Sequence, residues 1–261
     1  MIAPAVLPSE YKSWNAKWHA PFGRSFPVKG PISWSLPALW FRGPFSVQPN
    51  SSTRFFEYPW AHQQVIERLP KGGTVLEIGG GLAGLQWVLA REGYSVVNVD
   101  PGMEAQGHGW FVTPKKHRLL SRMFKAPVSL IPTPIEQAHL PAQSVDLLLC
   151  VSTLEHLTPS ELSAVAASIK EILKPDGVAV LTVDLFLDVF PFTDARQNRW
   201  GTNINVFEFL TRAGLRLVKG DPRQIFGFPE FDAKAIASRQ GEFLIGGDGI
   251  AMAQCLVARR A

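Results

Sequence analysis

The 261-residue sequence predicts an α/β protein in which helices cover both faces of a mostly parallel sheet. From residue 60 onward, short apolar runs typical of buried strands alternate with segments of helical periodicity. The run DLLLCV at 146–151 is apolar throughout, as expected of a central strand covered on both faces. Together these observations predict a three-layer αβα sandwich.

The individual elements follow from periodicity and from helix end signals. Strands are predicted at 74–78, 95–99, 128–131, 146–151, 178–183, 215–218 and 254–258. Helices are predicted at 60–69, from the glycine-rich stretch to Gly93, within 101–127, from Thr158 to just before Pro175, and at 205–213. The helix at Thr158 opens with a capping box, TPSE. Residues 219–250 have no clear pattern.

Residues 1–58 differ from the rest because proline and aromatic residues crowd them without a period of 3.6 or 2. The segment is too apolar to float free in water. We expect an irregular arm that lies across the main domain, 59–261, as a lid, as plain packing or as a homodimer surface.

Composition excludes several classes of protein. The apolar fraction of 46% and charged fraction of 18% are those of a globular chain. The net charge is +4, and the basic residues are scattered along the chain. Their densest group, Lys115 to Lys125, is expected to be the solvated face of a helix. His117 and His139 are also expected at the surface. A nucleic-acid partner is therefore not expected.

Cysteine usage and hydropathy predict an ordinary intracellular protein. Cys150 and Cys255 lie in strand-like runs, so we expect buried free thiols and no metal site. No uncharged apolar run approaches the roughly 20 residues that span a bilayer, and residues 1–30 do not show the basic stretch followed by an apolar stretch that is typical of a signal peptide. We therefore expect a cytoplasmic protein with no membrane partner.

The glycine-rich stretch VLEIGGGLAG at 75–84 raises a question of ligand charge. Gly79, Gly81 and Gly84 match G-x-G-x-x-G, and Asp100 lies 21 residues after Gly79, which is the spacing of a dinucleotide site. A tight turn without any ligand is the alternative. Glu77 argues against pyrophosphate, because a carboxylate about 5 Å away would cost roughly 3 kcal/mol per charge pair at an effective dielectric of 20. The cationic S-adenosylmethionine (SAM) suits the same loop.

Four motifs in order, VLEIGGGLAG, VVNVDPG, IEQAHLPAQSVDLLLCVSTLEHL and IKEILKPDGVAVLTV, resemble the class I SAM-dependent methyltransferases. The resemblance is closest to the broad group that includes small-molecule methyltransferases, and it does not cover residues 1–58. It implies a Rossmann-like seven-stranded sheet whose last strand is antiparallel, with SAM at the carboxyl ends of the strands.

The resemblance also implies which residues bind the cofactor. Glu77 matches the acid near the methionine end, Asp100 the acid that takes both ribose hydroxyls, and Glu136 the position that receives the adenine amino group. The third glycine of the family's motif is Ala83 here, with Gly84 displaced by one. The remaining cofactor contacts are expected from Gly79, Gly80, Gly81, Pro101, Gln137, Cys150 and Val151.

The predicted reaction is methyl transfer from SAM to a small molecule, at oxygen. His156, directly after the fourth strand, is the candidate general base, although the pair Glu155-His156 would equally shape a turn. His108 is a weaker candidate for contact with the acceptor. Arg54 or Tyr58 is a candidate partner of the SAM carboxylate, and Asp184 a pocket residue.

Other functions stay open at this point. The alternative is a methyltransferase that acts on a peptide or RNA, with the absence of a basic stripe against RNA, or a protein that binds SAM without catalysis. An NAD-dependent oxidoreductase is the more distant alternative.

Overall fold

The computed structural model describes residues 1–27, 31–102, 112–247 and 249–261. The strands are β1 (Thr74–Ile78), β2 (Ser95–Val99), β3 (Val128–Ile131), β4 (Val145–Val151), β5 (Leu173–Phe186), β6 (Leu215–Lys219), β7 (Ile245–Gly246) and β8 (Ala251–Arg260). They form one sheet with the order β3-β2-β1-β4-β5-β8-β6, and β7 pairs with β8 at the side of this path.

The first five strands pair in parallel, and the last strand, β8, runs antiparallel to both β5 and β6. The predicted mostly parallel sheet with an antiparallel last strand is therefore confirmed. The two-residue β7 adds an eighth strand that the sequence did not predict, because it lies in the segment without a clear pattern.

Helices cover both faces of the sheet. Alternate residues of each strand enter two separate cores: Leu147 and Val180 pack with the helices of one face, and Leu148 and Leu181 with those of the other. This alternation is the period of two that a pleated strand imposes. The helices are α1 (Ser9–Trp18), α2 (Leu36–Arg42), α3 (Arg54–Arg68), α4 (Gly84–Arg91), α5 (Pro114–Met123), α6 (Pro159–Ile172), α7 (Val206–Arg212) and α8 (Ala233–Ser238).

The predicted capping box is present at the start of α6. The Thr158 hydroxyl accepts a hydrogen bond from the Glu161 N–H, and the Glu161 carboxylate accepts one from the Thr158 N–H. Both free thiols, Cys150 and Cys255, are buried as predicted.

His117 corrects a prediction, because it is buried rather than at the surface. The helical period puts it on the inner face of α5 together with Leu120 and Ser121. There its Nε2 lies 2.8 Å from the Gln86 Oε1, and burial lowers the pKa of His117 to about 4. His139 is exposed, as predicted.

The N-terminal arm is more regular than predicted, since it contains α1 and α2. The first of these helices packs on α3, where Tyr11 meets Phe56 edge to face at 5.2 Å and the Asn15 amide donates to the Phe55 carbonyl. No helix among the described residues is long and apolar enough to cross a membrane.

Candidate functional site

The carboxyl ends of β1, β2, β4 and β5 meet at one edge of the sheet, and the candidate site lies there. In-register parallel pairing places Glu77 of β1 beside Asn98 of β2 and Leu149 of β4. Open α/β sheets bind ligands at such an edge, where the strand order reverses direction.

The glycine-rich loop after β1 is held by acceptors on and after β2. The Asp100 carboxylate accepts hydrogen bonds of 2.6 Å from the N–H groups of Gly81 and Gly102, one on each oxygen. Asn98 accepts a third bond, from the Gly80 N–H at 3.1 Å. Asp100 thus joins the two turns that border the predicted ribose position.

Glycine is required at two positions of this loop for different reasons. Gly79 has a φ of +67°, which L side chains rarely adopt. At Gly80 the obstacle is space, because a Cβ atom would lie 2.7 Å from the carboxyl carbon of Glu77. The loop backbone therefore passes directly over this carboxyl group.

Glu77 is buried, and its Oε2 has no hydrogen-bond partner among the described residues. Burial, and then the charge of Asp100, raise the pKa of Glu77 to about 8. A buried carboxyl without a partner costs stability unless a cation or a donor pairs with it. Its position under the glycine-rich loop fits a positively charged ligand.

The arm covers this loop from the solvent side. The Gln48 Oε1 accepts a hydrogen bond of 2.7 Å from the Leu82 N–H. The ring of Phe45 fills the space beside Gly84, where a Cβ atom would lie 2.5 Å from the ring. The displaced third glycine is thus explained by packing against the arm.

A second group of polar side chains lies at the ends of β4 and β5. We call it the carboxyl cluster: Arg54, Glu57, Ser152, Glu155, Thr182 and Asp184. Ser152 is at its centre, with its Oγ 2.8 Å from the Arg54 Nη1, 2.7 Å from the Glu57 Oε1 and 3.2 Å from the Asp184 Oδ1. The Ser152 backbone has a φ of +41°, a strained value of the kind found at functional sites.

The members of the carboxyl cluster differ in charge. Burial opposes ionisation of Glu57, yet Arg54 and the neighbouring hydroxyl groups hold the pKa of Glu57 below its ordinary value. Burial raises the pKa of Glu155 to about 7, and burial together with Glu155 and Glu57 raises the pKa of Asp184 well above its ordinary value. The described residues include no group of His, Cys, Asp and Glu side chains arranged to hold a metal ion.

Two predicted contacts of the SAM carboxylate are engaged within the protein. Arg54 forms an ion pair with Glu57, and the Tyr58 hydroxyl donates to the Asn50 Oδ1 at 2.6 Å. The backbone N–H of Asp184, the predicted pocket residue, donates to the Glu155 Oε1.

The remaining predicted cofactor residues lie along the same edge. Pro101 is half-buried after β2, and Glu136 and Gln137 are exposed in a 3-10 helix after β3. Cys150 is buried near the end of β4, and Val151 ends that strand half-buried.

His156 follows β4 in a short 3-10 helix, and its Nδ1 contacts the Trp200 carbonyl oxygen. A carbonyl oxygen only accepts, so Nδ1 is the donor in this contact. His108 lies outside the described residues.

Sequence reasoning missed Glu57, Ser152 and Thr182 as members of the site. They are brought together from segments up to 125 residues apart, so no local spacing reports them. The available signal was Glu57 itself, a single carboxylate within the aromatic run FFEYPW.

Comparison with known proteins agrees with this geometry. The family model described as "Methyltransferase domain" matches residues 54–217. The chain therefore belongs to the methyltransferase domain family, and its fold and glycine-rich site place it among the class I SAM-dependent methyltransferases. No curated protein matches the chain.

Solved structures share the fold at low sequence identity. The chain is similar to a 1,6-didemethyltoxoflavin-N1-methyltransferase of Burkholderia thailandensis, solved with 1,6-didemethyltoxoflavin and S-adenosylhomocysteine (TM-score 0.52, 16% identity, 100% of this chain and 95% of that chain). It is also similar to the [4+2]-cyclase SpnF (TM-score 0.52, 16% identity, 99% and 98%). A third similar structure is a phosphoethanolamine N-methyltransferase of Haemonchus contortus (TM-score 0.51, 13% identity, 87% and 58%).

Proposed function

We propose that this protein transfers the methyl group of SAM to an oxygen atom of a small-molecule acceptor. The observation that carries the proposal is the buried Glu77, whose unpaired oxygen lies under the glycine-rich loop. The sulfonium and ammonium groups of SAM are both positive, whereas a dinucleotide would bring phosphate charge to the same carboxyl group.

The cofactor assignment extends from Glu77 to the residues around it. Gly79, Gly80 and Gly81 leave room for the methionine part, and Asp100 offers its oxygens to the ribose. Pro101, Glu136, Gln137, Cys150 and Val151 line the adenine side. In support, these residues lie on one edge of the sheet, at or just after the ends of β1 to β4.

The chemistry is an in-line displacement. A lone pair of the acceptor oxygen forms the new C–O bond, while the S–C bond breaks and its electrons remain on sulfur. His156, which follows β4 at the edge where the site lies, takes the hydroxyl proton. Such a base contributes roughly 10²–10⁴-fold to rate.

We propose that the arm closes the cofactor site as a lid, since Phe45 and Gln48 already contact the glycine-rich loop.

The family match and α3 both begin at Arg54, four residues before the division at 58 predicted from the sequence. A small-molecule acceptor is supported by the Burkholderia thailandensis structure, which holds one. We also propose a cytoplasmic location, which cell fractionation tests.

The test is incubation of the protein with methyl-labelled SAM and an extract of small metabolites, peptides and RNA, followed by mass spectrometry. A labelled methyl group bound to an oxygen atom of a small product supports the proposal. Label on a peptide, on RNA or on nitrogen contradicts the acceptor assignment, and SAM binding without any labelled product contradicts catalysis.

His156→Gln isolates the base. With the acceptor found, we expect kcat to fall roughly 10²–10⁴-fold while the affinity for SAM is unchanged. His139→Gln, at an exposed position, is the control. A full kcat in His156→Gln would show that the proton leaves by another route.

A further inference from the structure

The outer side of the arm turns six large apolar side chains toward solvent. Trp40 is 64% exposed, Ile32 62% and Trp34 56%. We call this surface the arm patch: Phe22, Ile32, Trp34, Leu36, Trp40 and Phe41. Large side chains of this kind rarely cluster in the open without a partner.

Helical spacing and contacts place five of these side chains on α2 or beside it. Leu36 and Trp40 lie one turn apart on α2 and therefore share a face. Phe22 and Phe41 line a common depression of about 430 Å³. Trp34 is joined to α2 by Arg42, whose guanidinium carbon lies 5.7 Å from the centre of the indole ring.

In the sequence, the charged residues of segment 11–53 all have one sign. Residues 11–53 include five basic residues and no acidic one, although the whole chain has 22 acidic residues. The guanidinium carbon of Arg24 lies 5.5 Å from the ring centre of Phe41, and Arg24 also lines the depression, so a basic group lies directly against the aromatic surface.

We propose that the arm patch docks on the surface of an anionic lipid bilayer. Tryptophan side chains favour the boundary between headgroups and acyl chains, and basic side chains are attracted to anionic headgroups. An interfacial contact of this kind needs no spanning helix. The sequence-based expectation of no membrane partner considered spanning segments alone.

A second copy of the chain fits the patch less well. A two-fold interface would place the basic surface that includes Arg24 and Arg42 against a second copy of itself. Like charges placed together oppose association. An anionic bilayer instead complements them.

The experiment is vesicle flotation with the full chain, using phosphatidylcholine alone and phosphatidylcholine with phosphatidylserine, at low and high salt. We expect partition onto the anionic vesicles that weakens with salt, and a loss of about fivefold in Arg24→Gln. Trp34→Ser combined with Trp40→Ser should weaken partition at least about tenfold. The matched control, Phe207→Ser combined with Val218→Ser, removes exposed apolar groups elsewhere and should bind vesicles like the wild type.

Unchanged SAM affinity in the serine double variant shows that it is folded. If it does not fold, Trp34→Phe combined with Trp40→Phe keeps the patch apolar and should still float with anionic vesicles. It should lose the blue shift of tryptophan fluorescence that the wild type shows with them.

Three results would overturn the proposal. They are no partition of the wild type onto anionic vesicles, equal partition of the folded serine double variant, and a dimer that this variant dissociates while neither protein floats. The last result would assign the arm patch to a second copy. None of them bears on methyl transfer, which the labelled-SAM assay measures separately.

Discussion

At the scale of single residues, Glu77 destabilises the ligand-free protein and would stabilise the complex with SAM. Its carboxyl group is buried without a full set of partners, and burial favours the protonated form. A cation that binds beside it favours the ionised form. Binding of SAM should therefore be linked to release of a proton from this residue.

Glu77→Gln tests this linkage. With a pKa of about 8 the wild-type carboxyl is mostly protonated at neutral pH, so SAM binding should release close to one proton. The variant should release none and should bind SAM at least about tenfold more weakly, because it lacks the ionised partner. Calorimetry in two buffers of different ionisation enthalpy measures both quantities.

The exposed Glu171→Gln is the matched control and should leave both unchanged. Equal affinity and equal proton release in Glu77→Gln would mean that the cation binds elsewhere.

At the scale of elements, the unit made of β1, the glycine-rich loop and α4 depends on close approach between backbone and side chain. Gly80 separates Glu77 from Asn98, and a Cβ atom at this position would lie within 2.8 Å of both side chains. Asn98 also donates to the Gly81 carbonyl, so its displacement would move the loop.

Gly80→Ala should therefore weaken SAM binding at least about tenfold and lower the free energy of unfolding by about 1–3 kcal/mol through overpacking. Gly241→Ala, where the added Cβ meets nothing within 4 Å, is the control and should be neutral. Denaturant unfolding and calorimetry give the two quantities. Full SAM affinity in Gly80→Ala would show that the loop accommodates the methyl group without moving.

Among the elements, the sequence predicts the short buried strands well and the N-terminal helix poorly. The sequence predicts the strands 74–78, 95–99 and 128–131 to the residue, because each is a short, mostly apolar run with glycine, proline or aspartate at or close to its ends. The helix α1 was missed because it buries only Tyr11 and Asn15, too few for a visible period. Its fold depends on contact with α3, which local sequence does not report.

The residues of the candidate site also divide into those with a local sequence signal and those defined by tertiary contacts. Glu77 and Asp100 lie in motifs with a fixed spacing, so the sequence reveals them. Ser152 and Thr182 become polar partners of Glu57 only when β4 and β5 pair and α3 packs over them. Their role depends on tertiary contacts and was out of reach of sequence reasoning.

At the scale of the whole molecule, the buried carboxyl groups link stability to pH. A carboxyl group whose pKa rises on folding binds its proton more tightly in the folded state. Below the pKa of the unfolded state, 4.5 for glutamate, the group is protonated in both states and does not change the free energy of unfolding. As the pH rises from there toward the higher pKa of the folded state, the free energy of unfolding falls. Burial lowers the pKa of His117 from 6.5 to about 4. This residue has the opposite effect, because the free energy of unfolding rises as the pH increases from about 4 to 6.5. The total pH profile therefore mixes several groups, and a difference between two variants isolates one.

The difference in unfolding free energy between Glu77→Gln and the wild type isolates Glu77. Since the raised pKa of about 8 belongs to the wild type alone, the variant should gain stability over it as the pH rises from about 5 to about 8, by at most about 1.4 kcal/mol per pH unit. Saturating SAM should reverse this advantage, because the bound cation stabilises the ionised wild-type carboxylate. Urea unfolding across this pH range, with and without SAM, measures both effects. A difference that is independent of pH would show that Glu77 has an ordinary pKa in the folded protein, and a difference that SAM leaves unchanged would separate the residue from cofactor binding.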